Sequence, residues 1–481
     1  MNPPIFPLPA RPASVLRLAL QPCHAQSHLT FGFLLIVGLL LFPATGRALP
    51  SFARQMNMQC IACHTDYPLL TEFGRQFKLS GYTLSATLNG PPPVALMLQP
   101  SFTHTAQGQP DGAAPGFGEN NNWALTQASL FYAGRLFGPY AAGLFGADGA
   151  TFANKFGVFL QTTYDGVGKT WSWDNAELRF ADTGTLAGHS ATYGVYVNNN
   201  PTLQDPWNST PAWGYPFTGS GLAPGPAAAT FIDGGASQQV GGVGAYAMFD
   251  NTLYVDVAGY HTFSSRFQKS VGVDPTGETQ VTRLAPYWRI ALVRPLGNAT
   301  WQVGTFGIAA DTYPGRDQSA GKDRIVDVGF DSQYQNAFDR HDITVLLSWI
   351  HERETWRASE ALGSTSNSSD TLWNAKATVD YLYDKTYGLT VQYFAIDGSR
   401  DDLLYGNSRT GSPKSDGFVL QANYLPFNKA GGPAFWPKSN VKFSLQYTAY
   451  RHFDGSASDY DGSGRNARDN NTLYLEAWIV F

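Results

Sequence analysis

From Val94 to the end of the chain, apolar residues alternate with polar or small ones at a period of two. That is the pattern of strands with one apolar and one polar face. In the last segment Leu473, Leu475, Ala477, Ile479 and Phe481 share one face, and Thr472, Tyr474 and Glu476 share the other. Val441, Phe443, Leu445, Tyr447 and Ala449 likewise oppose Lys442, Ser444, Gln446 and Thr448. Trp373, Ala375, Ala377, Val379 and Tyr381 oppose Asn374, Lys376, Thr378 and Asp380, while Val326, Val328 and Phe330 oppose Asp327 and Asp331. Segments of this kind number about 16, an even count within the range of outer-membrane barrels. They are expected at 94–106, 123–136, 155–164, 171–182, 190–199, 237–250, 252–263, 284–295, 300–312, 324–336, 341–351, 371–383, 387–397, 415–425, 440–450 and 471–481.

The links between the segments sharpen the picture. Asp250-Asn251, Leu296–Ala299, Ala337–Arg340 and Asp384–Thr386 are tight, whereas 264–283, 313–323, 352–370 and 398–414 are long. Short periplasmic turns alternating with long outer loops are the rule for membrane barrels. Phe137–Asn154 and Pro426–Lys438 are longer than that rule predicts. Phe481 ends the chain on an alternating strand, as outer-membrane barrels commonly end. A soluble β-sandwich or propeller would also alternate, but would not account for the even count, the loop asymmetry and the terminal aromatic together. The expected fold is therefore an all-β, roughly 16-stranded antiparallel barrel in the bacterial outer membrane, in contact with its lipid. Composition agrees: 31 Phe, 24 Tyr, 12 Trp and 50 Gly with only 14% charged residues suit aromatic girdles and glycine-rich turns better than a soluble enzyme.

Residues 1–48 read as an export leader. Leu29–Phe42 is an apolar run of signal-peptide length, too short to cross a membrane, and Gly46-Arg47-Ala48 offers small residues at a cleavage site. The stretch ahead of that run is long and Pro-rich, with Arg11 and Arg17 as its charges. Cleavage would remove Cys23 with the leader, and three arginines but no acid, leaving a mature chain more acidic than the full chain's −5. Such a balance argues against a nucleic-acid partner.

Between leader and barrel stands Cys60-Ile61-Ala62-Cys63-His64, the C-x-x-C-H attachment motif of a c-type haem. Two thiols add across the haem vinyl groups, and the adjacent imidazole reaches the iron from the proximal side. A disulfide, half of a zinc site and a thioredoxin-like pair are the alternatives. A zinc site would need a second ligand pair, and the chain has no later cysteine. A redox pair would need a βαβ context. The expected cofactor is one covalently bound haem c, attached at Cys60 and Cys63 with His64 as proximal iron ligand; no catalytic residue is expected beyond it.

Three domains follow: the leader 1–48, a cytochrome-like segment 49–93 and the barrel 94–481. Tyr67–Lys78 carries Leu69, Leu70, Phe73 and Phe77 at helical spacing and is closed by Gly81. The segment is too small to enclose a haem alone, so the barrel wall is expected to complete the pocket, with the haem in the lumen or at its periplasmic mouth. Distal-ligand candidates are Met97 and His104 on the first strand, with Met56 and Met58 ahead of the motif. Glu177, Arg179, Arg289, Lys376 and Lys442 are expected to face the lumen, where a cation could pair with a haem propionate or serve as an ordinary polar wall. His189, His261, His341, His351 and His452 are scattered at strand ends without metal-ligand spacing.

The stretches Ser51-Phe52-Ala53-Arg54-Gln55, Cys60–His64, Phe73-Gly74-Arg75-Gln76-Phe77-Lys78 and Gly81-Tyr82 resemble the start of the fused outer-membrane cytochrome–porins best known from iron-oxidising bacteria. Val197-Asn198-Asn199-Asn200-Pro201-Thr202, Gln204-Asp205, Trp207-Asn208 and Thr210–Gly214 resemble a second stretch of that family; here they fall in an outer loop after the fifth strand that is able to fold inward. The resemblance implies a monohaem cytochrome plugging a porin. It would take electrons from extracellular Fe(II), or another external donor, and hand them to a periplasmic c-type cytochrome or cupredoxin. The alternatives are a porin-type transporter with a haem plug or sensor, and electron export to an external acceptor.

Overall fold

The computed structural model describes residues 51–84 and 93–481, apart from 215, 217 and 435–437. The leader expected over 1–48, with Cys23, lies outside the described residues. The alternating segments form sixteen long strands: β1 Val94–Thr105, β2 Asn122–Arg135, β3 Phe156–Asp165, β4 Thr170–Leu186, β5 His189–Asn198, β6 Val240–Phe249, β7 Leu253–Thr262, β8 Ala285–Leu296, β9 Ala299–Tyr313, β10 Asp323–Phe338, β11 His341–Thr355, β12 Ser369–Tyr383, β13 Tyr387–Gly398, β14 Ser415–Tyr424, β15 Asn440–His452 and β16 Thr472–Val480. Every pairing is antiparallel between sequence neighbours, and β1 pairs with both β2 and β16, so the sheet closes on itself. The closing register runs from Met97 opposite Val480 to Thr105 opposite Thr472.

Each expected segment coincides with one strand. β4 and β11 run past 182 and 351 to Leu186 and Thr355, because ladder hydrogen bonds continue through polar pairs such as Thr185–Ser190 and Arg353–Thr371 after the apolar alternation fades. A two-residue strand, Gln280–Val281, lies in the long loop before β8 and pairs with Thr312 and Tyr313 at the end of β9. The tight turns use left-handed residues, as two-residue hairpins require: Asp250 and Asn251 have φ of 48° and 51°.

The polarity of the wall is inside out. Leu178, Val195, Val243, Val257, Leu347 and Val379 are exposed on the outer face, while Glu177, Asp256, Arg289, Gln392 and Lys442 are buried on the inner one. A soluble sandwich would bury the first set; only lipid makes this arrangement stable. Aromatic pairs mark both rims. Tyr387 and Tyr424 are 5.5 Å apart and Tyr424 and Phe443 6.4 Å at the end with short turns; Phe102 and Trp123 are 4.9 Å apart at the end with long loops. The protein is a closed 16-stranded antiparallel outer-membrane β-barrel.

The two over-long links at the turn end have separate explanations. Residues 137–154 contain a helix, Ala141–Ala153, kinked at Gly146, whose φ is 72°. After β14, Leu425 packs with Cys60, Tyr67 and Leu382, so that link helps close the floor under the N-terminal segment.

Replacing Leu347, midway along β11 on the lipid face, with Arg is expected to lower the stability of the bilayer-embedded barrel by about 2–4 kcal/mol, measured by denaturant titration in vesicles. An unchanged midpoint would contradict this outward orientation.

Candidate functional site

The N-terminal segment packs inside the turn end of the barrel. It comprises α1 Ser51–Met56, a 3₁₀ turn over Cys60–Ala62 and α2 Glu72–Leu79. The helix expected from Tyr67 starts only after Thr71, because residues 64–70 fold back on themselves, with His64 bridged to Leu70 and the Thr65 N–H donating to the Leu69 carbonyl at 3.1 Å. Thr71 then does two jobs. Its hydroxyl accepts from the Gly74 N–H at 3.1 Å and donates to the Ala62 carbonyl at 2.7 Å. Its own N–H donates to the Cys63 carbonyl at 2.9 Å. The helix N-terminus therefore holds the Cys60–His64 turn. Gly74 is the point of closest approach: a Cβ there would lie 2.2 Å from the Cys63 carbonyl oxygen. Gly81, with φ of 67°, terminates α2 as its sequence position predicted.

The wall grips this segment through buried polar contacts. Lys442 places its Nζ 3.3 Å from the Asp66 carboxylate and donates to the Tyr67 carbonyl at 3.0 Å. Asn423 donates to Asp66 at 2.5 Å. Arg179 donates to the Lys78 carbonyl at 2.9 Å, Tyr82 donates to Glu177 at 2.9 Å, and Tyr246 donates to the Leu79 carbonyl. The described residues of 199–239 fold inward after β5, as the sequence allowed, and add a second layer. Asp205 in this loop meets Arg289 at 3.1 Å, and Asn208 donates to the Pro68 carbonyl at 2.9 Å.

Between segment and wall lies a cavity of about 380 Å³, within the ordinary range for small-molecule and cofactor sites. Cys60, Cys63 and His64 all line it, with Met56, Met58, Phe52, Phe77 and Tyr82 from the segment. The barrel contributes Met97, Phe131, Phe159 and Trp478, and the inward loop contributes Trp213. Met97, Phe131 and Trp478 come from the turn-side parts of β1, β2 and β16, which puts the cavity in the periplasmic part of the lumen. The wall thus completes a pocket that the segment could not form by itself.

The chemistry of the motif fits covalent haem attachment and disfavours its rivals. Cys60 and Cys63 are not joined to each other in a disulfide. Burial pushes the Cys60 thiol up, and burial with the neighbouring Cys60 pushes Cys63 up to about 11, the opposite of a reactive thiolate pair. Among the described residues, no group of three or more His, Cys, Asp or Glu is arranged to hold a metal ion. Burial draws the His64 imidazole down to about 4, against the Leu69 and Pro68 carbonyls and Asp66, which act the other way. It is therefore neutral, the form that ligates iron. Its Nδ1 is buried without a hydrogen-bond partner.

The distal candidates separate. Met97 is buried, faces the cavity and accepts from Gln99 Nε2 at 3.9 Å. His104 alternates onto the other face of β1, does not line the cavity and sits with Nδ1 2.9 Å from Asn121 Oδ1. Geometry removes it from the candidates. The predicted lumen charges are inward as expected, but each is engaged by protein: Arg179 with Glu177 at 2.7 Å, Arg289 with Asp331 at 2.8 Å, Lys376 with Asp233 at 2.9 Å, and Lys442 with Asp66. None of these five lines the cavity. The cation that does is Lys78, which donates to the Asp205 carbonyl at 2.6 Å and to Asn208 at 2.8 Å and lies 4.3 Å from the Trp213 ring centroid. Burial draws it down to about 7, opposed by Asp205 and Glu177. Nothing in the helical spacing of 67–78 distinguishes it from a surface lysine. Trp478 was legible, since the alternation places it on the inner face with Tyr474 and Glu476.

No protein-family model matches the chain, and no curated protein matches it in sequence. Among solved structures it is similar to OmpT, an outer membrane protein of Vibrio cholerae, at 11% identity and a TM-score of 0.40 over 83% of this chain and 99% of that one. It is similar to the outer membrane channel DcaP of Acinetobacter baumannii at 12% identity and 0.42, covering 81% and 96%, and to Pseudomonas aeruginosa OccK2 at 11% and 0.35, also covering 81% and 96%.

Asp66→Ala leaves the buried Lys442 ammonium without its carboxylate and is expected to cost about 3–5 kcal/mol in denaturant unfolding. The double variant Asp66→Ala/Lys442→Met should recover most of that loss; equal losses in both would mean the pair does not anchor the segment.

Proposed function

We propose that this protein is an outer-membrane electron conduit: a porin-type barrel carrying one covalently attached haem c, which receives electrons from an extracellular donor, most simply Fe(II), and passes them to periplasmic carriers. The observation that carries this reading is the convergence of Cys60, Cys63 and His64 on one largely apolar lumen cavity whose lining includes Met97. Haem bound there supplies one-electron chemistry. Cys60 and Cys63 would hold it by thioethers, His64 would ligate the iron, and Met56, Met58 and Met97, which all line the cavity, would be available as the sixth ligand. The Thr71 and Gly74 contacts hold the Cys63 backbone in place, and the aromatic lining limits water. The loop that leaves β5 at the outer end brings Asn208, Trp213 and Thr218 to the same cavity.

The experiment is stopped-flow absorbance of the purified holoprotein mixed with Fe(II). The haem bands should pass to the reduced form, and His64→Ala should abolish the change. A haem that stays oxidised under excess Fe(II) contradicts the donor assignment.

Lys78 adds a signed expectation. Its positive charge beside the cavity disfavours the ferric state, so Lys78→Met should lower the haem potential. Because Lys78 loses its proton near pH 7, the wild-type potential should fall as pH rises through that value and the gap to Lys78→Met should close above it. A pH-independent gap in a redox titration would exclude Lys78 as the cause.

A porin-type transport role is the second reading, favoured by the polar, ion-paired inner wall of the barrel. It predicts steady ion conductance in planar bilayers, whereas a conduit filled by residues 51–84 and 199–239 should be closed.

A further inference from the structure

The link between β2 and β3 is at the periplasmic end, where turns are short, yet it holds the kinked helix Ala141–Ala153, here α3. Its polarity is the reverse of a surface helix. The residues it buries are small: Ala141, Ala150 and Ala153. Those it turns away from protein are large and apolar, with Leu144 65% exposed, Phe145 48% and Phe152 60%. Asp148 is its one charged residue. A water-facing link would expose polar groups and bury these.

The place where α3 rests decides what covers it. Phe152 lies 5.4 Å from Phe156 and 5.7 Å from Phe180, which sit opposite each other in the β3–β4 ladder. Phe180 shares its strand face with Leu178, which is exposed on the lipid side, and the intervening Arg179 points into the lumen. The helix therefore leans on the outer surface of the wall, and Phe145 continues the contact to Phe137 at 4.9 Å. At its far end Lys155 pairs with Asp182 at 2.5 Å, a polar boundary just past the apolar stretch.

We propose that α3 is an in-plane membrane element that binds the acyl and headgroup boundary of periplasmic-leaflet phospholipid. Its exposed apolar face continues the lipid-facing band of β3 and β4, as an element lying in the membrane interface would. The inference is independent of the haem.

The test is site-specific photocrosslinking in cells with ³²P-labelled phospholipid. p-Benzoylphenylalanine is placed in turn at Phe145, Phe152, Leu178 on the lipid face and Ser458 in an outer loop. Each variant is first checked for the slower gel mobility of unfolded barrel on heating, and only variants that show it are compared. Labelled lipid adducts at 145 and 152 should match those at 178 and exceed those at 458 severalfold. Adduct at 178 with none at 145 and 152 would overturn the proposal, as would crosslinks at 145 and 152 only to a second copy or to another protein.

Discussion

A sixteen-stranded barrel is too wide for its own inward side chains to fill. The inner architecture of this protein follows from how that lumen is occupied. Two stretches of chain enter it, residues 51–84 from the periplasmic end and 199–239 from the outer end, and both bring backbone groups that must find partners away from bulk water. The wall supplies them from buried charged residues. Lys442 and Asn423 hold Asp66, Arg179 holds the Lys78 carbonyl, and Arg289 holds Asp205. A buried ion pair adds little net stability but is costly to break by halves. Such pairs fix where the inner segments sit.

That fixation explains why a segment of some forty residues can offer a cofactor-sized chamber. The floor and one side come from α1, α2 and the Cys60–His64 turn, and the rest comes from Met97, Phe131, Phe159, Trp478 and Trp213. The charged residues that sequence alone offered as partners for a ligand are spent elsewhere: Glu177, Arg179 and Lys442 on the segment, Arg289 and Lys376 on the inward loop. Lys78 remains at the chamber, itself held by the inward loop. Electrostatics near the motif therefore depend on residues 199–239 as much as on the segment that carries the thiols.

The barrel was largely legible in the sequence because strand alternation and loop asymmetry are local signals imposed by lipid on one face and water or protein on the other. The sixteen segments, the inward direction of Glu177, Arg179, Arg289, Lys376 and Lys442, and the outer position of the loop after β5 all follow from them. The C-x-x-C-H motif was equally local. What stayed hidden was pairing across long separations: Asp66 with Lys442, Lys78 with Asp205, and the start of α2 at Thr71. Periodicity cannot rank Met97 against His104 by distance to a motif more than thirty residues earlier, although the strand face separates them once β1 is in register. The long link 137–154 stood out as an exception to the turn rule, but its helix and outward lean depend on contacts with Phe156 and Phe180.

The central claim is that Cys60 and Cys63 carry one haem inside the lumen. The direct measurement is mass analysis of the proteolytic peptide containing both cysteines from protein purified out of outer membranes, together with a pyridine haemochrome spectrum of the intact chain. The account predicts one haem per chain, with both thiols consumed and the peptide heavier by that haem. Free thiols or a disulfide in an otherwise unmodified peptide, with no haemochrome absorbance, would contradict it.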